Sequence, residues 1–217
     1  MTSPLSPRLV RGGLVILDHD TGAVIRVITL QYNPDTLSRG FQLKLPPEGG
    51  ARGEAFRVTA PPTQTISVEA ELDATDALEK PDDNPSVVEL GLSAQLAALE
   101  SLVYPALSDV KESADLLDQG MLEIAAAATP LVLFAFGRRR ILPVRITELS
   151  VTEEAFDPQL NPIRAKVKLG LRVLTVNDVG ASTRAGSLAL AAHQQLEQLA
   201  SRAVGGRLAD LGIQNLP

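Results

Sequence analysis

From residue 163 to residue 173 the side chains alternate without a break. Ile163, Ala165, Val167, Leu169, Leu171 and Val173 fall on one parity, and Arg164, Lys166, Lys168, Gly170 and Arg172 on the other. Successive Cβ atoms of a strand point to opposite faces of a sheet, so this period of two predicts a strand with one apolar and one basic face. A chain that commits so long a segment to that pattern must build a sheet with a covered side. Residues 64–72 repeat the device, with Ile66, Val68, Ala70 and Leu72 set against Thr65, Ser67, Glu69 and Glu71. Residues 131–136 are apolar throughout, which reads as a buried strand. Gly137-Arg138-Arg139-Arg140 then turns the chain. In the strand that follows, Leu142, Val144 and Ile146 share a face while Leu149 and Val151 take the opposite parity, a slip that predicts a β-bulge near 147–148.

Toward the N-terminus, the runs 14–17 and 24–30 flank Asp18-His19-Asp20-Thr21-Gly22 and read as a hairpin. Tyr32-Asn33-Pro34 ends its second strand, because the residue before Pro avoids helical dihedrals and Pro donates nothing to a ladder. Residues 35–62, rich in Gly and Pro, read as mostly loop with a short strand at 41–45; a loop of that length needs a purpose, such as reaching a neighbouring subunit. The stretch 73–85 reads as an acidic loop. A helix is predicted from Pro85, capped by Asn84 or by Ser86 with Glu89, with the stripe Val88, Leu92, Leu96, Leu99 and Val103, stopping before Pro105. A shorter helix follows at 109–119, and 157–162 makes a loop. After Gly180 an Ala-rich helix runs to about 203, with Leu188, Ala192, Leu196, Leu199 and Ala203 on one side, and Gly205-Gly206 breaks it. The expected organisation is an N-terminal arm at 1–11, a β domain at 12–178, and a C-terminal helix and tail at 179–217. The fold class is α+β, mainly β.

Composition removes several functions. Aromatic residues make up 3% of the chain and Trp is absent, which is poor equipment for stacking on sugars or bases. A net charge of −6 has the wrong sign for nucleic acid, where Lys and Arg must displace counterions. Without cysteine there are no disulfides, thiolate metal sites or Cys nucleophiles. No secretory signal is read in the first residues, and no run approaches the roughly 18 apolar residues of a membrane span. The expected product is made in the cytosol and stays soluble there, within an assembled particle, unless lysis or a dedicated machine moves it.

The remaining chemistry is thin. A calcium loop starting at Asp18 needs Gly at its sixth position and Glu at its twelfth, where this chain has Ala23 and Thr29. Its two His, His19 and His193, sit beside no nucleophile signature, and adjacent acids such as Glu153 and Glu154 point to opposite faces of a strand. The expectation is therefore no enzyme, no cofactor and no metal. What stands out is charge: Arg138, Arg139 and Arg140 at a turn, and Arg164, Lys166, Lys168 and Arg172 along a strand face, with acidic stretches at 73–83 and 148–157 to match them. A basic surface on one subunit would meet an acidic surface on the next.

Three segments carry a resemblance. The first joins Ile16-Leu17-Asp18 and Thr21-Gly22 to Gln31-Tyr32-Asn33-Pro34-Asp35-Thr36-Leu37. The second starts at Pro61-Pro62-Thr63-Gln64 and ends at Asp73-Ala74-Thr75-Asp76. The third runs from Pro130-Leu131-Val132-Leu133-Phe134 through Arg140-Ile141-Leu142-Pro143, then Phe156-Asp157-Pro158 and Asn161-Pro162-Ile163-Arg164. In order and spacing, over residues 12–176, they resemble the tube or baseplate-hub family of contractile injection systems, the particles related to contractile phage tails. The resemblance implies a tube-like β-sandwich or barrel with a flanking helix. It also implies sheets joined edge to edge in a ring of about six copies, with the inner tube protein and the spike hub or other baseplate proteins as partners. Many relatives continue into a LysM module; here an Ala-rich helix stands in that place, and it is expected to dock on the adjacent protein. The expected interface residues, from the resemblance, the charge pattern and the helix stripe together, are Tyr32, Asn33, Pro34, Arg138, Arg139, Arg140, Arg164, Lys166, Lys168, Leu196 and Leu199. Two other readings stand beside this one: a tube-end cap or spike adaptor of the same particle, and an unrelated hydrolase or ligand-binding β domain.

Overall fold

A computed structural model describes residues 9–18, 21–46, 57–118 and 129–215. Its strands are β1 (Gly13–Leu17), β2 (Val24–Thr29), β3 (Leu37–Lys44), β4 (Ala60–Asp73), β5 (Leu131–Ala135), β6 (Ile141–Phe156) and β7 (Pro162–Val173). All pair antiparallel in one sheet, in the order β2-β1-β5-β6-β7-β4-β3. The helices are α1 (Thr75–Leu78), α2 (Pro85–Leu90), α3 (Ser93–Glu100), α4 (Leu107–Asp118), α5 (Val176–Val179) and α6 (Arg184–Ala200). Strand outweighs helix, so the class is α+β, mainly β, as the sequence predicts. Among the described residues no helix is long and apolar enough to cross a membrane. The expected N-terminal arm lies largely outside the described residues, as do His19 and Asp20.

Burial explains which strands alternate and which do not. Apart from buried Pro162 at the start of β7, only one parity of β4 and of β7 is buried: Ile66, Val68, Ala70 and Leu72 in β4, Ala165, Val167, Leu169, Leu171 and Val173 in β7. β1 and β5 are apolar on both parities because both of their faces are covered. Leu14, Ile16, Val132 and Phe134 enter the main core with Leu92, Leu96 and Leu99 of the α2–α3 region. Leu17, Leu131 and Leu133 form a second cluster under Ala185 and Leu188 of α6. The predicted bulge is present: the β6–β7 register shifts between Ile146 and Glu148, opposite Gly170, where a Cβ would lie 2.9 Å from the Glu148 Cβ.

Beyond the end of β2, Gln31 curls one edge of the sheet toward β4. Its Nε2 donates to the Asp73 carbonyl at 2.6 Å, and the Asp73 N–H donates to its Oε1 at 2.9 Å. One side-chain amide thus imitates a rung of ladder between strands that are far apart in sheet order.

Three expectations need correction. Within 35–62 the strand expected at 41–45 starts earlier, with β3 at Leu37–Lys44, and β4 begins at Ala60 rather than 64; residues 47–56 lie outside those described. The acidic stretch 73–85 holds α1 and a 3-10 turn, Pro81–Asp83, anchored by buried Ala74, whose N–H donates to the Ile163 carbonyl at 2.8 Å. The single helix expected from Pro85 is broken at Gly91 (φ +55°, ψ −130°). There the Pro162 carbonyl intrudes, accepting from the Leu92 N–H at 2.8 Å, and a Cβ at Gly91 would sit 2.4 Å from its oxygen. The apolar stripe survives the break because both pieces face the same core, but its ends, Val88 and Val103, stay exposed. Asn84 makes no side-chain cap; its amide donates back to the Ala77 and Lys80 carbonyls.

Candidate assembly interface

The two edge strands are the most unusual surfaces of the molecule. Val24, Ile25 and Val27 of β2 are each more than half exposed, and so are Phe41 and Leu43 of β3. An edge strand leaves a row of N–H and C=O groups unpaired, and natural sheets usually blunt such edges with charge, Pro or a covering element. Here β2 has Arg26 as its one charge beside Val24, Ile25 and Val27, and β3 has Arg39 and Lys44, with Ser38, Gly40 and Gln42 alongside its exposed Phe41 and Leu43.

Each cation on the basic face of β7 is paired inside the chain, although the buried Arg172 Nε makes no hydrogen bond among the described residues. Arg164 pairs with Asp73 at 2.7 Å, Lys166 with Glu154 at 2.7 Å, Lys168 with Glu148 at 3.1 Å, and Arg172 with Asp178. The face expected to seek an acidic neighbour therefore already has acids from β4, β6 and α5 beside it. Such exposed pairs contribute about 0.2–1 kcal/mol each, so they position charge more than they stabilise the fold.

Asp73 gathers two of the predicted groups. It accepts from the Thr75 N–H at 2.8 Å and from the Thr75 hydroxyl, and Arg164 donates to its other oxygen at 2.9 and 2.7 Å. Those bonds, Thr75 first and Arg164 after, hold its carboxyl below the usual range. Tyr32 stands close by, its phenol raised by desolvation and then by the carboxylates of Asp76 and Asp73. Asn33 ties in the entering chain, accepting from the Gly12 N–H at 2.9 Å and donating to the Val10 carbonyl at 2.9 Å. Pro34 is half-buried beside it. Gln31 carries no motif of its own in the sequence; its place directly before the Tyr-Asn-Pro turn is the available signal.

Asp157 and Asp178 are also held low. Asn161 does this for Asp157, first through its side-chain amide (2.9 Å) and then through its backbone N–H (2.8 Å). At Asp178 burial opposes the charge, but the Thr175 N–H (2.9 Å) and hydroxyl (2.8 Å) and Arg172 outweigh it. A carboxyl lowered in the folded state adds stability that is present above its unfolded pKa, about 4, and lost as pH falls through the folded value. The urea midpoint is expected to be flat from pH 7 to about 5 and to fall below about 4. Asp73→Asn is expected to lower the pH 7 midpoint and flatten that acid limb. A limb as steep in the variant as in the parent would show that Asp73 carries no linkage.

A second group converges at the other end of the sheet. Arg139, Arg140, Leu196 and Leu199 line a groove of about 460 Å³ between α6 and the sheet. Arg140 stacks over Phe136 at 5.7 Å and Arg39 over Phe41 at 5.9 Å. Arg138 points from the same turn but does not line the groove. The expected docking of α6 on another protein holds at most for its outer half. Its first turns pack on this chain's own sheet through Ala185 and Leu188, buried Gly186 closes on the Gly180–Ala181 backbone, and Thr183 caps the helix by accepting from the Gly186 N–H at 3.0 Å. Neither the groove nor β3 as an apolar edge was visible in the sequence. Comparison with protein-family models and with curated proteins returns no match.

Proposed function

We propose that the chain is a ring-forming structural subunit of a contractile injection particle, seated at the junction between the inner tube and the baseplate or spike hub. The observation that carries this reading is the pair of edges, β2 and β3, at the two ends of one antiparallel sheet, each with exposed apolar side chains and with no further strand paired to it among the described residues. If β2 of one copy pairs with β3 of the next, the free backbone groups of both edges are satisfied. The contact is head-to-tail, so repetition at a suitable rotation closes a ring. The resemblance of residues 12–176 to the tube and hub family supplies the particle, the expected ring of about six copies, and the tube and hub proteins as partners.

Ile25→Lys with Val27→Lys tests it. Both side chains are more than half exposed, so each change should alter monomer stability by only about 0.5 kcal/mol. Sedimentation of the purified variant should show loss of the oligomer, and particles assembled with it should lack the ring. Oligomers and particles like those of the parent chain would overturn the reading. A ligand-binding β domain is the second reading, favoured by the groove under α6; it requires a purified parent chain that stays monomeric at every concentration.

A further inference from the structure

The groove and α4 are complementary. Apolar side chains line the groove, among them Phe41, Leu142, Val173, Leu190, Leu196 and Leu199, and no carboxylate does. Arg39, Arg139 and Arg140 add three cations to the lining, and none of them has a carboxylate partner among the described residues. A groove of this kind suits an apolar stripe flanked by acids.

α4 carries that pattern and buries none of it against the described residues. Leu107, Val110, Ala114 and Leu117 recur at steps of three and four, while Asp109, Glu112, Asp115 and Asp118 stand against one cation, Lys111. None of its residues is buried, and Leu107, Val110 and Leu117 are exposed. An isolated helix shorter than about 12–15 residues is marginal in water, so α4 requires a surface to hold it. No residue of α4 lines the chain's own groove.

We propose that α4 of one copy docks into the groove between α6 and the sheet of another copy. Recognition of this kind sets i, i+3 and i+7 anchors in an apolar channel, and the rim charges fix orientation and partner. The occupant is a second copy because the complementary helix is in this sequence and lies free of its own groove. The inference rests on the proposed self-assembly only in requiring more than one copy.

The chain has no cysteine, so introduced thiols report the contact directly. Leu117→Cys in a tagged chain and Leu196→Cys in an untagged one replace exposed side chains, and circular dichroism confirms that both fold. Mixed under mild oxidation, they should give the tagged–untagged disulfide dimer at least ten-fold faster than Leu117→Cys mixed with Val204→Cys, an exposed control. Adding Arg139→Glu and Arg140→Glu to the Leu196→Cys chain should reduce the rate about ten-fold. Asp115→Lys and Asp118→Lys on its partner should restore it. A rate equal to the control, or a doubly substituted chain that closes its disulfide within a monomer, would overturn the proposal. Repeating the disulfide measurement in the Ile25→Lys/Val27→Lys background reads the α4 contact with the sheet edges disabled, so failure of the edge pairing and failure of the α4 contact are told apart.

Discussion

Replacing Phe134 with Ala is expected to lower the unfolding free energy by about 3–5 kcal/mol, the largest effect of any single substitution considered. Phe134 is 1% exposed and is the bulkiest of the fully buried side chains. It lies on β5, opposite Leu14 of β1 and Leu142 of β6, so ladders on both sides resist collapse into the void. Its ring also stacks on Phe136, with centroids 5.9 Å apart and planes 17° from parallel. A domain typically holds only about 5–15 kcal/mol of net stability, so the variant should populate unfolded chain at moderate urea. Phe41→Ala is the matched comparison. That ring is 55% exposed on β3, so the monomer should lose little stability and the groove should lose a wall. Unfolding free energies that differ by less than about 1 kcal/mol between the two variants would show that Phe134 is not enclosed by the main core.

Gly186→Ala is expected to release α6 from the sheet. By helix propensity alone Ala would stabilise this position by about 1 kcal/mol. Packing sets the opposite sign. An added Cβ would lie 2.0 Å from the Gly180 carbonyl oxygen and 3.1 Å from the Ala181 Cα, and both are backbone atoms with no rotamer to yield. Either the Gly180 loop or the first turn of α6 must move, and Ala185 and Leu188 then lose their cover over Leu17, Leu131 and Leu133. The expected loss is about 2–4 kcal/mol, with faster trypsin cleavage near Arg184 and Arg202. Gly206→Ala controls for the glycine change itself, because a Cβ there meets only the Asp210 carboxylate, at 3.7 Å. An unchanged or higher midpoint for Gly186→Ala would mean that α6 is not seated through Gly186. The α4 contact depends on the same seating, since α6 forms one wall of the groove.

Much of this architecture is legible from local pattern. Alternation placed β4 and β7 and their buried parities, because a side chain's face follows from its position along an extended backbone and needs no knowledge of the partner strand. The slip in β6 announced its bulge for the same reason. Gly22 and Gly137 marked their turns, and both take positive φ. The charged residues of the candidate interface were equally plain, but their partners were not. Lys166 meets Glu154 and Lys168 meets Glu148 only because β6 folds beside β7 with a shifted register.

What local pattern left open has one physical origin: it depends on atoms remote in the chain. The helix expected from Pro85 breaks at Gly91 because the Pro162 carbonyl arrives there from another loop. Gln31 becomes a rung of ladder only once Asp73 is brought beside it. β3 is an edge, and its Phe41 an exposed wall, because of where the sheet order ends. Residue types and their spacing set each strand's faces, the turns and the overall charge, since those are properties of a few neighbouring residues. Strand order, the helix break and the meeting of Arg39, Arg139 and Arg140 around one groove came from packing the whole sheet, because they are relations between segments that share no local sequence.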